Sequence, residues 1–183
     1  AATDVAVLYQ FLSRIGADVA ADFEGSELIY CPDSDQKWGP PSKVFWDDES
    51  KVFGTTRGYL KNHYPTLQEF FLKAGVAPNA SPADYAEALL EIAKSKAADE
   101  ASRNRTRVIY KRLSPRFDEG GDWLEDETWE NYWSHLMTGR FWLGRKGDDF
   151  GFYPLRELVV VDNEHLENLF HGKVAFWPFK DLN

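Results

Sequence analysis

The chain is short of cysteine, of positive charge and of long apolar runs, and each shortage narrows what it can be. One cysteine in 183 residues, Cys31, cannot close an internal disulfide, which fits a reducing compartment. With 21 Lys and Arg against 30 Asp and Glu, the formal charge is −9. That balance disfavours nucleic acid as a partner, because neutralising phosphates takes an excess of cations. It also disfavours an anionic membrane surface. No window approaches the roughly 18 apolar residues of a membrane span. The first residues, Ala1 to Leu12, lack the basic start and apolar run of a signal peptide. These absences lead us to expect a cytoplasmic or nuclear protein.

Catalytic signatures are missing as well. The sequence contains no P-loop, no nucleophile-elbow serine, no zinc quartet and no HExxH. His165 and His171 are six apart, which on one helix places them on different faces. Cys31 precedes Pro32 with no nearby His or Lys to lower its pKa, so a buried inert thiol is expected. The expectation is a non-enzyme with no catalytic residue, no metal site and no cofactor.

What is present is core. Apolar residues make up 43% of the chain and aromatics 15%, which is enough to fill an interior. Val5, Leu8, Phe11, Leu12 and Ile15 recur at helical spacing. Leu28 to Cys31 reads as a strand stopped by Pro32, and Val44-Phe45-Trp46 as another, ended by the solvated charges Asp47-Asp48-Glu49. Thr66 and Glu69 form a candidate capping box for a helix lined by Leu67, Phe70 and Phe71. Ser81-Pro82-Ala83-Asp84 is a second helix start, whose helix runs towards Leu113 with a break near Ser102. Trp129, Tyr132, Trp133, Leu136 and Met137 mark an amphipathic helix, and strands and a short helix continue to Trp177. The fold expected is α+β: two small antiparallel sheets packed with amphipathic helices and related by a degenerate internal repeat. Its divisions are a helix-plus-hairpin module over 1–76, a helical connector over 77–115 and a second helix-plus-sheet module over 116–183.

The repeat rests on matched phrases in the same order. Val7-Leu8-Tyr9 to Ser13 parallels Val108-Ile109-Tyr110 to Ser114, and Lys37-Trp38-Gly39 parallels Asp149-Phe150-Gly151. Val44 to Glu49 parallels Val159 to Glu164, and Val52-Phe53-Gly54 echoes Leu169 to Gly172. In each half the apolar triplet is expected beside its aromatic-glycine strand, with Asp47 and Asp162 each capping the next segment of chain.

Lys37-Trp38-Gly39-Pro40-Pro41-Ser42-Lys43-Val44-Phe45-Trp46-Asp47-Asp48, with Phe53-Gly54, Tyr59-Leu60, His63-Tyr64-Pro65 and Leu67 to Val76, resembles a recurrent element of sacsin-like and NO VEIN-like proteins. The resemblance is best over Leu28 to Leu90. It implies a segment downstream of an Hsp90-type ATPase domain, with the rest of the same polypeptide or other proteins as partners. The nucleotide-binding motifs of that ATPase domain are not in this chain.

The function expected is a non-catalytic protein-interaction or scaffold module of a larger intracellular, chaperone-like protein. The alternatives are an accessory domain of a nucleic-acid-processing or defence enzyme, and an acidic inhibitor that mimics nucleic acid. Trp38, Trp46 and Phe152, beside prolines and glycines, are candidates for a partner groove. Arg103, Arg105, Arg107, Lys111 and Arg112 form a candidate basic ridge, which the acids from Asp118 to Glu130 can neutralise.

Overall fold

The computed structural model describes residues 2–15, 22–48, 50–96, 98–118, 127–179 and 182, with side chains at all of these except 2, 115–118, 127–131 and 133. The chain divides into two compact units, residues 1–80 and 81–183. The elements are helices and mostly short strands of α+β type, as expected.

The first unit opens with helix α1 (Ala2–Ile15), which contributes Tyr9 to the core. Strands β1 (Ile29–Tyr30) and β2 (Trp38–Gly39) pair antiparallel. Pro40 then leads into a 3-10 turn (Pro41–Lys43) and strand β3 (Val44–Phe45). After an excursion the chain returns as β4 (Gly58–Tyr59), parallel to β3. Helix α2 (Gln68–Lys73) and Gly75, at φ +88, turn the chain so that Ala77 bridges Phe45 in parallel. Tyr9 lies at the centre of the interior, with ring centroids 5.1 Å from Phe71, 5.3 Å from Tyr64, 6.0 Å from Phe70 and 6.3 Å from Phe23.

The second unit begins with α3 (Pro82–Ser95), started by a capping box in which Ser81 and Asp84 satisfy each other's backbone amides. It packs on α4 (Glu100–Asp118) and α5 (Glu127–Thr138). Strands β5 (Trp142–Lys146) and β6 (Asp149–Tyr153) form a hairpin, and Gly147 at φ +64 makes its tight turn. Pro154 leads into a second 3-10 turn (Leu155–Glu157) and β7 (Leu158–Val159). Helix α6 (Glu164–Leu169) intervenes before β8 (Ala175–Phe176), which lies between β5 and β7 and is parallel to β7. The strand order is β6-β5-β8-β7. Tyr110 of α4 stacks on Trp142 at 5.3 Å and meets Trp177 at 5.0 Å.

The same construction therefore occurs in each unit. The Tyr9 hydroxyl donates to the Leu28 carbonyl at 2.7 Å and accepts from the Tyr30 amide at 2.8 Å. The Tyr110 hydroxyl donates to the Phe141 carbonyl at 3.2 Å and accepts from the Leu143 amide at 2.8 Å. Asp48 accepts from the Ser50 amide at 3.1 Å, and Asn163 from the His165 amide at 2.8 Å. The Phe53 carbonyl accepts from Thr56 at 3.1 Å, and the Phe170 carbonyl from Lys173 at 2.9 Å. On the parallel return, Leu60 donates to Phe45 at 3.1 Å and Trp177 to Val159 at 2.9 Å. The repeat matches Tyr9 with Tyr110, Pro40 with Pro154 and Phe53 with Phe170.

The registers differ from those read in sequence. Trp38 matches Phe152 and not Phe150, and Val44 matches Leu158. The caps are Asp48 and Asn163, one residue beyond Asp47 and Asp162. The aromatic-glycine strands pair with β1 and β5, not with the apolar strands that come after them. The sheets are not purely antiparallel either. Each excursion of a dozen or more residues brings the chain back to the end it left, which permits parallel pairing.

Local corrections have local causes. Thr66 caps nothing: Leu67 is buried at the N-cap position and α2 starts at Gln68. The break after α3 falls at Lys96, in the left-handed region at φ +54. Asp99 takes the Ser102 amide at 2.8 Å, and that hydrogen bond holds its carboxyl below the usual range. Helix α4 carries on through Pro115 to Asp118. Asp48 is not solvated but 3% exposed, and accepts from the Ser50 amide and hydroxyl.

At a matched core position the two units fill the same space differently. A Cβ on Gly58 would come within 2.8 Å of Cys31 Sγ and 2.9 Å of Val44. The matched trio is Gly144, Ala175 and Leu158, and a Cβ on Gly144 would come within 2.5 Å of Leu158. Both trios hold the same number of side-chain heavy atoms.

Tyr9→Phe and Tyr110→Phe each strand a backbone amide and carbonyl, so chemical denaturation should show a loss of about 1–3 kcal/mol apiece. Burial pushes the Tyr9 hydroxyl up to about 12, so the folded state favours the neutral phenol. Its contribution is complete below the unfolded value near 10 and is lost as pH rises from there towards 12. Tyr9→Phe should flatten that alkaline loss relative to the native chain. Separately, Gly58→Ala should cost about 1–3 kcal/mol through overpacking, and Cys31→Gly in the same chain should recover part of it. Simple additivity in a double-mutant cycle would mean that the trio does not act as a packing unit.

Candidate interaction surface

Reactive groups are sparse and tied down. Burial pushes the Cys31 thiol up, and its Sγ lies 3.8 Å from the Tyr59 carbonyl as a donor. A neutral buried thiol is a poor nucleophile. On the surface, His63 Nε2 meets Asp33 Oδ2 at 2.8 Å, with the Asp33 side chain 75% exposed. A cleft of about 570 Å³ in the first unit is walled by Glu24, Gly25, Pro41, Ser42, Lys73 and Gly75, largely short side chains and backbone. Among the described residues, no three His, Cys, Asp or Glu stand together as a metal site. No described helix is long and apolar enough to cross a membrane.

The residues singled out in sequence separate. Trp46 is 5% exposed and lies 6.4 Å from the Phe71 ring, so it belongs to the first unit's core. Trp38 is 43% exposed and leans on Tyr30 at 4.9 Å across the β1–β2 hairpin. Phe152 is half-buried at the matching place in the β5–β6 hairpin of the second unit. The basic residues resolve into two rows on α4. Arg103, Arg107 and Lys111 recur every fourth residue along one side, whereas Arg105 and Arg112 lie seven apart on another. Arg103 places its guanidinium 4.3 Å from the centre of the Phe150 ring, and the other four have interactions of their own. Of the acids expected to neutralise them, the side chains of Asp118 to Glu130 lie outside the described residues, as does that of Trp133.

A different surface emerges from comparing matched positions. In the first unit Phe45, Trp46, Val52 and Phe53 are all 5% exposed or less. Their counterparts in the second unit are open: Val159 38%, Val160 63%, Leu169 54% and Phe170 42%. Leu166 joins them at 43%. An ion pair between Arg145 and Glu167 ties α6 to β5 by its polar side, which leaves Leu166 and Leu169 facing out. By the match to Phe45 and Phe53, whose rings lie 5.3 Å apart, Val159 and Phe170 belong to one apolar face along β7 and α6, and Val160 lies on the strand's other face, as Trp46 does.

The first unit has an open face too. On α1, Val7, Leu8, Phe11 and Ile15 are 51–60% exposed, and only Tyr9 is fully buried. The helical spacing predicts Leu8, Phe11 and Ile15 on the buried side. One buried tyrosine with paired backbone hydrogen bonds decides the helix's rotation instead. For the β7–α6 face, Leu166, Leu169 and Phe170 recur at the spacing of an ordinary core helix. Nothing in sequence separates them from residues that have a covering layer; the signal lies in the matched copy.

No protein-family model, characterised protein or solved structure matches the chain.

The two tryptophans should respond in opposite ways. Trp46→Ala should cost about 3–5 kcal/mol in chemical denaturation, the range for a truncated buried aromatic. Trp38→Ala should stay within about 1 kcal/mol, as for a half-exposed position. Equal losses would place Trp38 in the core as well.

Proposed function

We propose that the chain is a non-catalytic protein-interaction or scaffold module of a larger, chaperone-like protein of the cytoplasm or nucleus. The observation that carries this reading is the β7–α6 face. Val159, Leu169 and Phe170 are exposed where the matched Phe45, Val52 and Phe53 are interior. An exposed contiguous apolar patch on a folded unit is the usual mark of a protein contact. The stripe on α1 adds a second such face. Inert chemistry at Cys31 and a net charge of −9 fit a module that holds partners through shape and apolar area, not through phosphates. The resemblance of Leu28 to Leu90 to sacsin-like and NO VEIN-like proteins supports the same reading. It suggests other domains of the same polypeptide, or other proteins, as what the faces meet.

The reading has a direct test. Phe170→Asp should leave the unfolding free energy within about 0.5 kcal/mol of the native value, as at other surface sites. A photo-crosslinking residue at position 170 in cells should give a discrete protein adduct, identified by mass spectrometry, and one at Asp149 should not. Calorimetry should show no saturable ATP binding. Absence of any adduct at 170, or a Phe170→Asp chain that unfolds as a core variant does, would remove the basis for the proposal.

A further inference from the structure

We infer that the open edge of β7 receives a parallel β-strand from a protein partner, delivered by a short amphipathic helix and a glycine turn. This deepens the interaction-module reading and rests on it. The template is the first unit. There β3, the counterpart of β7, has β4 on one side and residues 76–78 on the other. The Trp46 amide donates to the Ala77 carbonyl at 2.9 Å, and the Asp47 amide to the Pro78 carbonyl at 3.1 Å. The strand is delivered by α2, whose Phe71 is fully buried near Trp46, through Gly75 at φ +88 and the buried Val76.

In the second unit the strand order leaves β7 at the sheet edge. The amides of Val160 and Val161, matched to those of Trp46 and Asp47, donate to no carbonyl among the described residues. An exposed edge of this kind is a ready template for strand addition, with backbone bonds giving affinity and side-chain pockets giving selectivity. The pockets are specific in size. Val160 stands where the first unit has Trp46, so the incoming helix has room for a large aromatic residue at the position Phe71 occupies. Val160, 63% exposed, supplies an apolar floor for it. The partner is therefore a helix–glycine–strand segment of the chemistry of residues 67–78: leucine and paired aromatics on one helix face, then small apolar residues in extended conformation.

The probe is a fluorescein-labelled peptide with the sequence of residues 65–80, titrated into the full chain. Anisotropy should rise to saturation, and hydrogen exchange followed by NMR should slow by about tenfold or more at the Val160 and Val161 amides, as newly formed ladder bonds require. Val160→Pro, which removes one donor from an edge strand, should weaken binding by about tenfold or more. Val160→Glu keeps the amide but charges the floor, and should do the same with an unchanged melting temperature. A peptide with the Phe71 position changed to Ala should bind more weakly. Lack of saturation at millimolar peptide, or protection confined to other amides, would overturn the inference. So would protection of the same two amides that grows with chain concentration in the absence of peptide, which would make the occupant a second copy. A crosslinked adduct at 170 without protection at 160 and 161 would keep the interaction-module reading and overturn strand addition alone.

Discussion

Each unit depends on one phenolic oxygen. The first of the first unit's two small sheets starts with a strand of two residues, too short to hold its place by ladder bonds alone. The Tyr9 hydroxyl supplies the missing constraint by taking an amide and a carbonyl on either side of Ile29, and Tyr110 does the same around Trp142. The bond works in both directions. It fixes where the strand begins, and it also fixes the rotation of the helix that carries the tyrosine. Around each ring a set of aromatics closes the interior, and edge-on and stacked contacts add to the area that they bury.

Much of this architecture was legible in the residues. The helix start at Ser81–Asp84 and the helix over Glu127–Thr138 lie where local chemistry puts them. So does the pairing of Tyr9 with Tyr110, because each tyrosine directly follows a pair of aliphatic residues, Val7-Leu8 in one half and Val108-Ile109 in the other. The two hairpins were legible as well, but the partners of the apolar strands were not. Val44-Phe45 is apolar enough to pair with anything, and its choice of Gly58-Tyr59 depends on an excursion whose return direction no local pattern encodes. The two-residue slip that set Trp38 against Phe150 has the same origin, since a strand's pattern repeats every second residue.

The candidate surface was less legible than the fold. Trp38, Trp46 and Phe152 share a composition but not an environment; burial separates Trp46 from the others, and composition carries no record of burial. The open β7–α6 face went unread because Leu166, Leu169 and Phe170 are core residues by type. The exposure of Leu169 and Phe170 becomes meaningful only beside Val52 and Phe53, which occupy the same places in the first unit and are interior. The comparison that exposes the face therefore lies inside the chain. Its two halves act as reference structures for each other, one with the edge of its parallel pair taken and one with it open.

The trios Cys31–Gly58–Val44 and Gly144–Ala175–Leu158 have a further consequence. Each is a solution to one small volume, and neither can be converted into the other by single steps without passing through an overfilled or hollow intermediate. Substitutions there are epistatic: the residue tolerated at one corner is set by what the other two already hold. Drift between the halves is then channelled into concerted exchanges at tightly equivalent positions. Identity between the halves is lost at these corners, whereas Tyr9 and Tyr110, Pro40 and Pro154, and Phe53 and Phe170 keep it.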